Sequence, residues 1–321
     1  MKSGPSMQNL VLGCGTDYST EQLLSFVSTL RGAGYDGEIA LVVFTDQLDV
    51  LAPLAQRYGV VWIPIPRYPQ WLPPAFARRL KNRGRIRLVH QVLQAVLPPF
   101  LRNPRLLDRC GMHLQHFYHI ACGRYFIYYS WLHRRRHFFA NVFLTDVRDV
   151  IFQADPFACF ADGALCCFMD PSVALGDEPI NVEWMTTTYG QRSCSRHRGN
   201  RISCSGTTMG DVLSVLEYLR QMCVALVRVL SRVTGLPGVD QAVHNYLLWE
   251  NRLLPVRLCE NGRHAVMTLK NADARTFAFD DDGRLLNEDG KPAPVLHQYD
   301  FHPDLFSKTT PVIHGDATAR N

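Results

Sequence analysis

The first 65 residues alternate in a way that few folds can use. Gln8 to Leu12 is a short apolar run, and Thr20 to Arg31 carries Leu23, Leu24, Phe26, Val27 and Leu30 at helical spacing. Gly37 to Phe44 is apolar again, Leu48 to Tyr58 reads as a second helix, and Val60 to Ile65 as a third strand. Strand, helix, strand, helix, strand predicts a parallel sheet, because parallel neighbours need a crossover long enough to return across the sheet. Ser19-Thr-Glu-Gln22 supplies the first helix start. The fold class expected is therefore α/β.

Beyond Ile65, Pro66, Pro69, Pro73 and Pro74 predict a loop, then a basic helical region towards Val96 and a boundary near Pro98 and Pro99. His113 to His133 suits a buried helix, with Arg124 inside it, and Val142 to Leu144 and Ala164 to Phe168 suit strands. Asp177 to Trp184 reads as a loop. Arg201 to Gly210 is rich in Ser, Gly and Thr, so it suits either a backbone approached closely by a ligand, at Ser205 and Gly206, or a tight strand-to-helix turn before Asp211. Helices follow at Val212 to Val233 and from Val239, where helical spacing pairs Asp240 with His244 and Gln241 with Asn245. Turns at Asp282-Gly283 and Asp289-Gly290 predict an antiparallel appendage at the C-terminal end. With 321 residues, a single elaborated domain over 1–321 is expected, with halves 8–160 and 161–321.

The composition, 47% hydrophobic and 20% charged, is that of a globular protein rather than a disordered one. Arg124 and Arg228 interrupt the longest apolar stretches, so no membrane span is expected. Leu10-Val-Leu12 is too brief for a signal-peptide core, which points to a cytoplasmic protein with its ten cysteines reduced. Cys194, His197 and Cys204 lack the paired short spacing of a zinc site. The net charge of +5 is uneven, with Arg78, Arg79, Lys81, Arg83, Arg85 and Arg87 in one segment and His133-Arg-Arg-Arg-His137 in another. Such segments suit a solvated helix face or a peripheral contact with an anionic membrane surface. Nucleic-acid motifs are absent, and no nucleic-acid partner is expected.

The chemistry concentrates in Asn141-Val-Phe-Leu-Thr-Asp-Val-Arg-Asp-Val-Ile-Phe-Gln-Ala-Asp-Pro-Phe157, where an apolar run ends abruptly in acids. Asp146 and Asp149 fall at the carboxyl end of a buried strand, the place where open α/β sheets hold ligands. A hard cation such as Mg²⁺ or Mn²⁺ takes carboxylate oxygens and leaves positions for diphosphate oxygens. Equally, Asp146 could cap a turn, and Asp149 could pair with Arg148 or Arg124.

Three segments together resemble the GT-A class of metal-dependent nucleotide-sugar glycosyltransferases. They are Asp146-Val-Arg-Asp149 followed by Val150-Ile-Phe and Asp155-Pro-Phe157, then Gly238-Val-Asp-Gln-Ala-Val-His-Asn245, and finally Val295-Leu-His-Gln-Tyr-Asp300. The acidic motif has two intervening residues where the usual pattern has one. The resemblance implies a GT-A-like Rossmann-type mixed sheet flanked by helices. It also implies Mn²⁺ or Mg²⁺ held by Asp149, Asp146 and His297, and a nucleotide-diphosphate sugar as donor to a glycan, lipid-linked or small-molecule acceptor. On the same basis Asp17 and Tyr18 contact the nucleotide, Arg124 or Asp146 the donor, and Ser205 and Gly206 the sugar or acceptor. Asp240 and Gln241 position sugar hydroxyls, and Asp240, Asp177 or Glu178 serves as base. A rival reading starts from Leu10-Val-Leu-Gly-Cys-Gly-Thr-Asp17, similar to the first turn of an S-adenosylmethionine methyltransferase but lacking a later glycine. A sugar-nucleotide binding protein without turnover is the non-enzymatic alternative.

Overall fold

The computed structural model describes residues 7–77, 87–158, 160, 163–253 and 255–306. Ten strands are described: β1 (Gln8–Cys14), β2 (Glu38–Phe44), β3 (Val60–Ile65), β4 (Phe139–Thr145), β5 (Val150–Phe152), β6 (Leu165–Ala174), β7 (Arg201–Asp211), β8 (Val256–Cys259), β9 (Val266–Thr268) and β10 (Val295–His297). The helices are α1 (Thr20–Gly32), α2 (Leu48–Tyr58), α3 (Pro74–Ala77), α4 (Arg87–Phe100), α5 (Pro104–Leu114), α6 (Ile120–Arg135), α7 (Pro179–Tyr189), α8 (Gln191–His197), α9 (Val212–Arg228), α10 (Leu230–Val233), α11 (Val239–Trp249) and α12 (Pro303–Phe306).

Seven strands form one mixed sheet in the order β3-β2-β1-β4-β7-β6-β8. The first four run parallel, β7 is antiparallel to both β4 and β6, and β8 is parallel to β6. Because the β4–β7 ladder joins residues 141–145 to 207–211, the two halves of the chain share one sheet. Strand periodicity of two explains the two cores. Leu10, Leu12, Ala40, Val42, Val142 and Leu144 face one side, against α6, α9 and α11. Val11, Ile39, Leu41, Val43 and Phe143 face the other, against α1, α2 and a small second sheet. Both faces are buried, which is why these strands read as unbroken apolar runs.

The βαβαβ portion matches the sequence reading closely. Ser19 caps α1 with both bonds of a capping box to Gln22. Further along, five expectations are corrected. The segment from Asp177 to Trp184 is no loop: Glu178 accepts from Asn181 N–H and Pro179 occupies the first helical position, so α7 starts there. The helix from His113 to His133 is broken by a turn at Gln115–Phe117, after which His119 caps α6 through Nδ1. Arg201 to Gly210 is a buried strand rather than a turn, and Asp211 caps α9 by accepting from Leu213 and Ser214 N–H; the helix that follows is interrupted at Val229, between α9 and α10. The C-terminal appendage is only partly antiparallel: β10 lies parallel to β9 and antiparallel to β5, in the order β5-β10-β9. The expected turns are present, with Gly283 and Gly290 both at positive φ beside antiparallel bridges. Of the first basic segment, Arg78, Arg79, Lys81, Arg83 and Arg85 lie outside the described residues. Among the described residues all nine cysteines are free thiols, and no helix is long and apolar enough to cross a membrane.

Candidate metal centre and its cavity

The parallel strands β1 and β4 end at the same edge of the sheet, and a cavity of about 580 Å³ opens there. From β1 and its turn come Cys14, Thr16, Asp17 and Tyr18; from α6, Arg124; from beyond β4, Asp146 and Asp149. The middle of β7 contributes Ser205 and Gly206, the start of α11 contributes Asp240 and Gln241, and Gln298 follows β10. Most of the residues singled out in the sequence therefore share one space. Asp177 does not: it is exposed and absent from the cavity wall, while neighbouring Glu178 is buried, caps α7 and pairs with Lys270 Nζ at 3.3 Å.

Asp146 and Asp149 line the cavity and His297 is buried behind them, outside its lining; the three each offer one ligand atom, all within 4.8 Å of one another. The small sheet sets this convergence. His297 is the register partner of Val150, and Gln298 N–H donates to the Asp149 carbonyl at 2.6 Å, so Asp149 and His297 sit at one end of a single antiparallel ladder. Asp146 enters from the main sheet, its N–H donating to the Gly206 carbonyl at 2.7 Å. His297 is fully buried. Its Nδ1 faces Thr268 Oγ1 at 3.3 Å and Cys204 Sγ at 3.8 Å, while Nε2 has no hydrogen-bond partner and stands 3.7 Å from Asp146 Oδ2. A buried nitrogen without a partner, aimed at two carboxylates, is the environment that a cation would satisfy.

The electrostatics separate the two acids. Burial would raise the Asp146 carboxyl, but the Arg124 guanidinium and then His297 outweigh it and hold it well below the usual carboxylate range. Asp149 has no guanidinium as close, Arg148 being 3.9 Å away and half exposed, so burial pushes its carboxyl up against the opposing effect of His297. Arg124 bridges: it pairs with Asp146 through Nη1 and with Asp240 Oδ2 through Nη2 at 3.2 Å. Asp240 also faces Tyr125 Oη and Ser205 Oγ, each at 3.4 Å, and sits in the first turn of α11, where the helix dipole favours a carboxylate. Gln241 is already engaged at both ends of its amide, accepting from Ser205 N–H at 2.8 Å and donating to the Ser203 carbonyl at 3.0 Å. His244 does not pair with Asp240 but bridges Tyr218 and Ser203 at 2.9 and 3.0 Å.

The nucleotide-side candidates are less free. Asp17, at φ 62°, is 2.6 Å from Arg67 Nη1, and burial pushes the Tyr18 phenol up to about 12. The glycines of the first turn have packing reasons: a methyl on Gly13 would strike Val147, and one on Gly15 would strike Leu23. At Gly206 a methyl would collide with Asp146 Oδ2. Gly206→Ala is therefore expected to weaken Mn²⁺ affinity about tenfold or more, measured by calorimetric titration, with the main sheet intact.

The motifs do not single out one further acid in the cavity. Asp170, on β6, is buried, its Oδ1 has no partner, and burial pushes its carboxyl up to about 6 against the opposing effects of His297 and Lys270. A carboxyl raised in the folded state contributes stability below its unfolded pKa and loses it as pH rises through about 6. Asp170→Asn should thus gain about 3 kcal/mol relative to the parent between pH 4 and pH 7.5, since each tenfold change in proton affinity on folding is worth about 1.4 kcal/mol. Denaturant titrations at the two pH values check this, and a pH-independent difference would show that Asp170 is not strained.

A comparison with protein-family models finds no match for this chain, and neither does a search of curated proteins.

Proposed function

We propose that this chain transfers a sugar from a nucleotide-diphosphate donor to an acceptor, with a divalent cation bound by Asp146, Asp149 and His297. One observation carries the reading: three groups from positions 146, 149 and 297 converge within 4.8 Å, at the strand edge that opens into the cavity. When bound, the cation supplies Lewis-acid charge to the leaving diphosphate. The protein's own groups supply the rest. Arg124, oriented by Asp146 and Asp240, keeps a guanidinium at the cavity wall, and Lys270, paired with Glu178, lines the same cavity. Trp184, held against Gly238 so closely that any side chain there would clash, offers an apolar surface for a sugar ring. Asp240, Asp170 and Asn181 present hydrogen-bonding groups for hydroxyls, and Gln241 acts through Ser205, whose N–H it holds. Alignment of donor and acceptor on this rigid wall would account for much of the rate.

The test is a screen of nucleotide sugars with the purified chain and Mn²⁺ or Mg²⁺, reading released nucleoside diphosphate and the intact mass of the product. Metal-dependent release with one donor, and a product heavier by one sugar residue, is expected. Metal-dependent binding without transfer to any acceptor class would leave a sugar-nucleotide binding protein. Absence of both would remove the proposal.

A further inference from the structure

A second cavity, of about 650 Å³, lies between α4, α7 and the junction of α9 with α10. It shares no lining residue with the cavity at the metal centre, so neither site depends on the other. Its size falls within the range of small-molecule sites, roughly 300–1,000 Å³. Every charged residue in its wall is an arginine: Arg87 from α4, Arg228 from the end of α9 and Arg232 from α10. All three are exposed, and none has a carboxylate within ion-pair distance among the described residues. Arginines on a solvated surface diverge into water. Here three separate elements bring them to one hollow, where like charges repel and the wall supplies no counter-charge.

Two groups of this wall are held in place. Ser231 N–H and Oγ–H both donate to Gln94 Oε1, at 3.1 and 2.8 Å. A backbone N–H can only donate, so the amide oxygen is fixed on Ser231 and Nε2 is the end of Gln94 that holds no partner among the described residues. Arg232 is anchored through Nη1, which donates to the Thr188 carbonyl at 3.1 Å. The rest of the wall is Gln91, Thr187 and one alanine, with no aromatic ring and no long aliphatic side chain.

We propose that this cavity binds a small phosphorylated polyol or sugar, with Arg87, Arg228 and Arg232 against the phosphate oxygens and the Gln94 amide as a further donor. Charge favours phosphate over carboxylate, because a phosphate monoester brings about two negative charges and three acceptor oxygens where a carboxylate brings one charge and two oxygens. Guanidinium forks also match phosphate oxygens in pairs. The remaining wall selects the body of the ligand. Gln91 and Thr187 suit hydroxyl groups, whereas a nucleobase would find no ring to stack on and an acyl chain no apolar surface.

The experiment is calorimetric titration of the full, metal-free chain at physiological salt with inorganic phosphate, α-glycerophosphate, glucose 6-phosphate and citrate. One saturable site is expected for at least one of the two esters, at least as tight as for inorganic phosphate, with citrate weaker. The double variant Arg87→Gln, Arg228→Gln should lower ester affinity about tenfold or more, with melting unchanged, since neither guanidinium holds another group among the described residues. Asp149→Asn should bind the ester as the parent does. No saturable binding, binding of phosphate without either ester, or citrate bound as tightly as the esters would overturn the proposal. So would parental affinity in the arginine variant, loss of binding in Asp149→Asn, which would place the ester at the metal centre, or capture of a phosphoserine peptide where both esters fail.

Discussion

Asp149→Asn is expected to lower metal-dependent release of nucleoside diphosphate by about two to three orders of magnitude, the scale of losing one charged ligand to a Lewis-acid site. It should do so without unfolding the protein. Asp149 is buried, with the His297 imidazole and a distant, half-exposed Arg148 as its neighbouring positive groups, and burial outweighs both and disfavours its charged form. Asparagine removes that charge, and Asp146 remains beside the His297 imidazole. Thermal melting should be unchanged or slightly raised, while Mn²⁺ titration of the same sample loses its high-affinity signal. Parental turnover in a folded variant would take Asp149 out of the centre.

Arg124→Met is expected to have the largest effect on stability, about 3–5 kcal/mol, because it strands the buried Asp240 and the partly buried Asp146 at once. Asp146 and Asp240 both depend on this guanidinium, and Asp240 is 3% exposed, with burial already raising its carboxyl. The pH dependence follows from Asp146. A carboxyl depressed in the folded state contributes stability above its unfolded pKa and loses it as pH falls through the folded value. The parental protein should therefore hold this contribution down to strongly acidic conditions, whereas the Arg124 variant should be weakest near neutrality and recover part of the deficit on acidification. Adding Asp240→Asn should restore part of the loss at pH 7. Denaturant unfolding of the single and double variants measures both effects, and additive costs would show that the pair is not coupled.

Where local pattern and tertiary environment agree, this fold is legible in its sequence. In residues 8–65 each apolar run is short and bounded, and β1 and β2 are buried on both faces, so sequence and structure coincide almost residue by residue. In β7 they diverge. Ser203, Ser205, Gly206, Thr207 and Thr208 have the composition of a turn, yet all are buried, and Gln241 and Asn245 satisfy the polar backbone of the strand from α11. Those amides form a recognisable helical pair, but nothing local says that they face a strand some 40 positions earlier. At α7 the signal is present in Glu178-Pro179, an N-cap followed by proline, and the polar residues around it obscure it. Asp170 carries the same mark that identifies Asp146, an acid ending an apolar run, here Leu165 to Met169. Its weight is apparent only when β6 is placed two strands from β4 at the same edge.

The three-stranded sheet gives the centre a dependence on β10. His297 reaches its place only when β10 has docked between β5 and β9, near the last residues described, whereas Asp146 hangs from a ladder formed by earlier strands. A nascent or C-terminally clipped chain could assemble its large sheet and still lack the imidazole. Any ion captured by all three groups would in turn act as a clasp on β10, tying the small sheet to the edge of the large one.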